Sequence, residues 1–81
     1  MAHLDGNAIA GVLEELFGRD VTVAIGRCSG CGAERPMGAV RVYFAAGVVA
    51  RCPDCNAVLL RIVRAGERMW LDLSGLSVLQ I

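Results

Sequence analysis

The sequence predicts an α+β fold: an N-terminal amphipathic helix packed on an antiparallel β-sheet that carries a four-cysteine metal site. Three observations lead there. Apolar residues recur at helical spacing near the start, apolar runs separated by glycine-bearing turns fill the middle, and four cysteines fall in two Cys-x2-Cys pairs. The 81 residues are read as one domain in three parts, a helix over 1–18, a sheet region over 20–73 and an apolar tail over 74–81.

Ile9, Val12, Leu13, Leu16 and Phe17 follow the i, i+3, i+4, i+7, i+8 spacing of a single helical face, with Glu14 and Glu15 off that stripe. Asp5 is placed to cap the first free N–H groups, and Gly18 to end the helix in a left-handed conformation. From Asp20 the period changes to two. Val21, Val23 and Ile25 alternate with Thr22, Ala24 and Gly26, which reads as a half-buried strand running into Cys28. Further strands are expected at Ala39 to Phe44, Val48 to Arg51, Ala57 to Arg64 and Arg68 to Leu73. The turns Ala45-Ala46-Gly47 and Ala65-Gly66-Glu67 favour antiparallel hairpins. The tail from Ser74 to Ile81 carries Leu76, Val78, Leu79 and Ile81 and no charged side chain, so it is expected to pack back on the domain or to pair with a second copy.

Apolar types make up 56% of the chain before its ten glycines are counted. An ordinary soluble domain reaches ~45–50% with glycine included. A domain of this size hides only ~60% of its unfolded surface, so a staple, a partner or self-association is implied. No apolar run approaches the ~20 residues of a membrane span, because Arg41 and Arg51 bound the longest one. The start, Met1-Ala2-His3-Leu4-Asp5, has no basic segment followed by an apolar stretch, which points to a cytoplasmic protein with reduced thiols. Formal charge is zero but segregated: Asp5, Glu14, Glu15 and Asp20 face a single Arg19 in residues 1–26, whereas the other arginines lie beyond.

Cys28-Ser29-Gly30-Cys31 and Cys52-Pro53-Asp54-Cys55 are separated by 20 residues. Two residues between cysteines let both thiolates of a pair turn towards one ion, and a second pair completes a tetrahedron, so Cys28, Cys31, Cys52 and Cys55 are the predicted metal ligands. Gly32 and Asn56 follow the pairs, and both types readily adopt the left-handed backbone that directs N–H groups at sulfur. Arg27 and Arg51 precede the pairs and are placed to offset the negative charge of four thiolates on a divalent ion. One zinc per chain is expected. Four thiolates also suit iron, and paired disulfides are the competing structural reading.

These residues resemble a zinc ribbon, in which two Cys-x2-Cys knuckles at the tips of β-hairpins clamp one zinc ion in a rubredoxin-like arrangement. The resemblance covers residues 20–73 and rests on Cys-Ser-Gly-Cys-Gly and Cys-Pro-Asp-Cys-Asn. With Leu4-Asp5-Gly6-Asn7-Ala8 and Trp70-Leu71-Asp72-Leu73 included, nearly the whole chain resembles a family of small uncharacterised bacterial zinc-ribbon proteins with no assigned activity.

Catalysis has little support. The only histidine is His3, a closed four-cysteine site has no position for substrate, and the carboxylates form no acid/base pair, so no catalytic residue is assigned and no enzyme is expected. His3 near the N-terminal amine is reminiscent of nickel-delivery factors, but Ala2 intervenes and the chain is too short for their nickel domain. The first functional expectation is a structural-zinc module that binds a protein partner or associates with itself. The alternative is nucleic-acid binding through Arg41, Arg61, Arg64 and Arg68 with Tyr43 and Trp70, against which stand zero net charge and the lack of lysine. A rubredoxin-like iron carrier and a metal-delivery accessory factor rank below these.

Overall fold

A computed structural model describes residues 4–81. His3 and the metal reading attached to it lie outside the described residues. The chain folds as a mostly antiparallel β structure with one short helix, a loose form of the expected α+β class.

The expected helix over 1–18 is shorter and begins differently. Leu4–Asp5 form a two-residue strand (β1), Gly6–Ile9 a 3₁₀ turn, and only Ala10–Phe17 an α-helix (α1). Asp5 does cap, its carboxylate accepting from the Asn7 N–H at 3.1 Å, but the turn it starts is the tighter one. That turn is pressed on a second 3₁₀ turn at Met37–Ala39, where a side chain on Gly6 would run into the Met37 carbonyl. At the other end Gly18 closes the helix at φ 72°, its N–H donating to the Glu14 carbonyl.

The strand expected from Val21 starts late. Asp20 accepts from both the backbone N–H and the hydroxyl of Thr22, at 2.9 and 2.7 Å, so this segment turns locally and does not enter a ladder. Val21 is buried while Val23 is 77% exposed, and strand β2 covers only Ile25–Cys28. It pairs antiparallel with β3 (Glu34–Pro36) on one side. On its other side lies β8 (Leu76–Gln80), so the apolar tail is a strand of this three-stranded sheet.

The remaining strands are β4 (Arg41–Phe44), β5 (Val48–Arg51), β6 (Val58–Ala65) and β7 (Arg68–Asp72). They join β1 in a five-stranded antiparallel sheet of order β1-β4-β5-β6-β7. Its inner face presents Val42, Ala50, Leu60 and Ile62 to Ile9 and Leu13, which form one buried cluster with Val21, Met37, Val40 and Leu59. Cys28 and Cys52 belong to that cluster, so the core reaches the cysteine site directly. No buried side-chain polar atom among the described residues lacks a partner. No helix among them is long and apolar enough to cross a membrane.

Candidate metal centre

Each cysteine pair occupies a tight turn next to a strand, and the two turns repeat one hydrogen-bond pattern. In the first, the Gly32 N–H donates to the Cys28 carbonyl at 2.9 Å and the Cys28 N–H to the Ala33 carbonyl at 2.9 Å. In the second, Asn56 donates to Cys52 at 2.9 Å and Cys52 to Ala57 at 2.8 Å. Closure needs a left-handed residue after the second cysteine, and Gly32 and Asn56 supply it at φ 78° and 66°. Asn56 is the only non-glycine residue with positive φ among the described residues.

This geometry aims donors at sulfur. The Gly30 N–H lies 3.3 Å from Cys28 Sγ, and the Asp54 N–H 3.4 Å from Cys52 Sγ. The four sulfur atoms all lie within 4.8 Å of one another. Cys28 and Cys55 approach to 3.6 Å and Cys31 and Cys52 to 3.8 Å, so the close contacts cross between the knuckles. A tetrahedral ion with metal–sulfur bonds of ~2.3 Å separates its sulfurs by ~3.8 Å, so these four fit such an ion with little adjustment.

Crowding four thiols divides their acidities. The Cys31 N–H, with Gly30, lowers the Cys28 thiol to about 7. At Cys55 the Ala57 N–H pulls downwards, but lost hydration and the neighbouring thiols of Cys28, Cys31 and Cys52 outweigh it and push the group up to about 12. Cys31 is likewise raised, because lost hydration and the thiols of Cys52 and Cys28 overcome the Ala33 N–H. The Cys28 thiolate therefore forms readily while Cys31 and Cys55 resist, until a cation offsets the accumulating charge. Cys28 and Cys52 are buried whereas Cys31 and Cys55 are exposed, so an ion could enter from the open side of the site.

The arginines expected beside the cysteines play other parts. Arg27 pairs with Glu34 across the β2–β3 ladder, its Nε donating at 2.7 Å. Arg51 donates to the Asn56 carbonyl at 2.9 Å, bracing the left-handed residue, and its guanidinium lies 5.9 Å from the Tyr43 ring centre. The charged pair that touches the site is Arg35 and Asp54, which the sequence reading did not single out. Arg35 makes a two-pronged contact with Asp54, whose carboxylate lies 3.9 Å from Cys52 Sγ. The Arg35 guanidinium keeps the Asp54 carboxyl below its ordinary range. Asp54 in turn raises Arg35, with smaller contributions from Cys52 and Cys31. The two partners lie 19 positions apart, so only their places within or beside a knuckle hinted at a role.

Of the residues proposed for nucleic acid, the strand register brings Arg41, Tyr43, Arg61, Arg68 and Trp70 to the outer face of the five-stranded sheet. Arg64 falls on the opposite face, where it pairs with Glu15 of α1 at 3.3 Å. No curated protein and no solved structure is significantly similar to the chain. A family model matches it from residue 1 to residue 81, and the chain accordingly belongs to a family of unknown function (DUF6510).

Proposed function

We propose that Cys28, Cys31, Cys52 and Cys55 hold one zinc ion in a structural role, and that the protein is a zinc-ribbon binding module and not an enzyme. The observation that carries this reading is the crossing of sulfurs from two like knuckles, at 3.6 and 3.8 Å, with core residues packed behind them. Four protein thiolates complete the shell of a tetrahedral ion, so no coordination position is left for substrate or water. The metal's chemistry is then that of a cross-link. It ties the turn after β2 to the turn before β6, and so joins the two sheets at one end. Arg35 and Asp54 add a second tie, outside the sulfurs, between β3 and the second turn.

Native mass spectrometry with elemental analysis tests the metal. One zinc per folded chain, lost together with the fold on chelation, is the expected result. A coloured iron form favours electron transfer, and a folded chain without metal refutes the structural role.

The module works through a surface. Self-association was expected from the apolar tail, but that tail is β8, whose Leu76 and Leu79 pack on the core. Val78 stays exposed and β8 is an edge strand, so a second copy can still pair along it. Sedimentation of the zinc form at micromolar concentration reads this directly, a dimer supporting self-association and a monomer leaving the surface to another partner.

A further inference from the structure

We infer that the outer face of the five-stranded sheet is a platform for single-stranded nucleic acid, with the exposed Trp70 as stacking surface and the surrounding arginines as phosphate contacts. The inference rests on the binding-module reading and names its partner.

The face is assembled by register. Tyr43 lies opposite Val49, Val49 opposite Arg61, and Arg61 opposite Asp72, a row that crosses β4 to β7. Val63 opposite Trp70 and Arg41 opposite Arg51 flank that row on the same side, with Arg68 beyond, opposite Ala65. Val49 and Val63 stand outside the buried cluster, and with Arg61 they line an open depression of about 330 Å³ beside the Ala45–Gly47 turn. Trp70, the chain's only tryptophan, is 60% exposed, an unusual place for so large a ring.

Charge selects the occupant. Of the eight arginines, Arg27, Arg35 and Arg64 are ion-paired within the described residues, and all three lie off this face. Among the described residues Arg41, Arg51, Arg61 and Arg68 make no such pair and all lie on it, while Arg19 stands outside both groups, after α1. Arg41 sits directly opposite Arg51 on one side and Asp5 on the other. Two carboxylates share the face, Asp5 directly opposite Arg41 and Asp72 directly opposite Arg61, so the excess positive charge is that of two arginines. The chain is neutral as a whole, but this surface is cationic, with aromatic rings set among the charges. A protein partner of acidic character would meet the charges but would leave the exposed Trp70 without a reason. Unpaired bases stack on exposed rings, and their phosphates meet arginine.

The test uses the full zinc-loaded chain with labelled oligouridylate and oligothymidylate of about eight nucleotides, read by anisotropy and by Trp70 emission. The expected result is saturable binding at about 50 mM salt that quenches Trp70 and weakens at about 200 mM. Trp70→Ala is expected to weaken binding by about tenfold. Arg61→Gln should lower the magnitude of the salt slope by about 0.7. A preference for the ribose or the deoxyribose strand identifies which nucleic acid is favoured. Absence of binding at low salt overturns the inference, as does binding that Trp70→Ala leaves unchanged or that a duplex matches in strength. Dimerisation that quenches Trp70 without oligonucleotide also overturns it, by assigning the face to a second copy. Zinc content and circular dichroism of the same samples separate the two proposals: a folded, zinc-loaded chain that fails to bind refutes only the platform, and a folded chain without zinc refutes only the metal's role.

Discussion

Arg35, on the short strand after the first knuckle, grips Asp54, inside the second, through two hydrogen bonds of 2.9 and 2.7 Å. The grip crosses the cysteine site, because Asp54 also lies 3.9 Å from Cys52 Sγ and its N–H donates to that sulfur. A contact of this kind orients ligands that the metal alone would leave free to shift.

Arg35→Ala is therefore expected to raise the apparent zinc dissociation constant by about tenfold, measured by chelator competition, while the metal-saturated fold persists. Arg35→Lys should recover only part of this, because a single ammonium cannot reproduce the two-pronged contact. An unchanged affinity in Arg35→Ala would reduce the pair to a surface contact.

Removing the metal should unfold the chain. A structural zinc site contributes roughly 10–16 kcal/mol of apparent binding free energy, comparable to the whole stability of a small domain. Cys52→Ser and Cys28→Ser are expected to lose metal and cooperative unfolding together, followed by circular dichroism and zinc release.

Two glycines separate backbone crowding from open space. A side chain on Gly75 would meet the Val58 carbonyl at 1.9 Å, so Gly75→Ala should push the turn before β8 away from the start of β6 and destabilise by about 1–3 kcal/mol. At Gly11, inside α1, nothing lies within 4 Å, and Gly11→Ala should stabilise by about 0.5–1 kcal/mol. Thermal melts of both variants check the contrast.

Asp20 is held below its ordinary value of 3.8 by the Thr22 backbone N–H and then by the Thr22 hydroxyl. A depressed carboxyl contributes stability that is fully present above its unfolded value and is lost as pH falls through the folded one. Asp20→Asn should therefore lower the melting temperature by the same amount at pH 8, 6 and 5. A difference that shrinks across that range would mean that Asp20 titrates higher than the turn implies.

Where a strand was bounded by glycine turns and rich in β-branched residues, the sequence marked it closely. Val48–Arg51 has the expected limits, and β6 and β7 lie within a residue of theirs. The cysteine constellation was equally legible, because local spacing and the left-handed residues Gly32 and Asn56 shape each knuckle on their own. The strand assigned to Val21 was misread because a local side-chain bond at Asp20 competes with a ladder that periodicity alone suggests.

The sequence by itself determined the local chemistry: two cysteine turns, antiparallel hairpins and a short amphipathic helix, each set by residues near one another in the chain. Only the tertiary structure decided three things. It seated the uncharged tail against β2 and coupled Arg35 to Asp54. It also sorted Arg41, Arg51, Arg61 and Arg68 onto the outer face while turning Arg64 inward to Glu15. The reason is physical. Periodicity reports which residues share a side of their own element, but partners distant in sequence are chosen by sheet register, and a shift of one residue would carry every side chain to the other face.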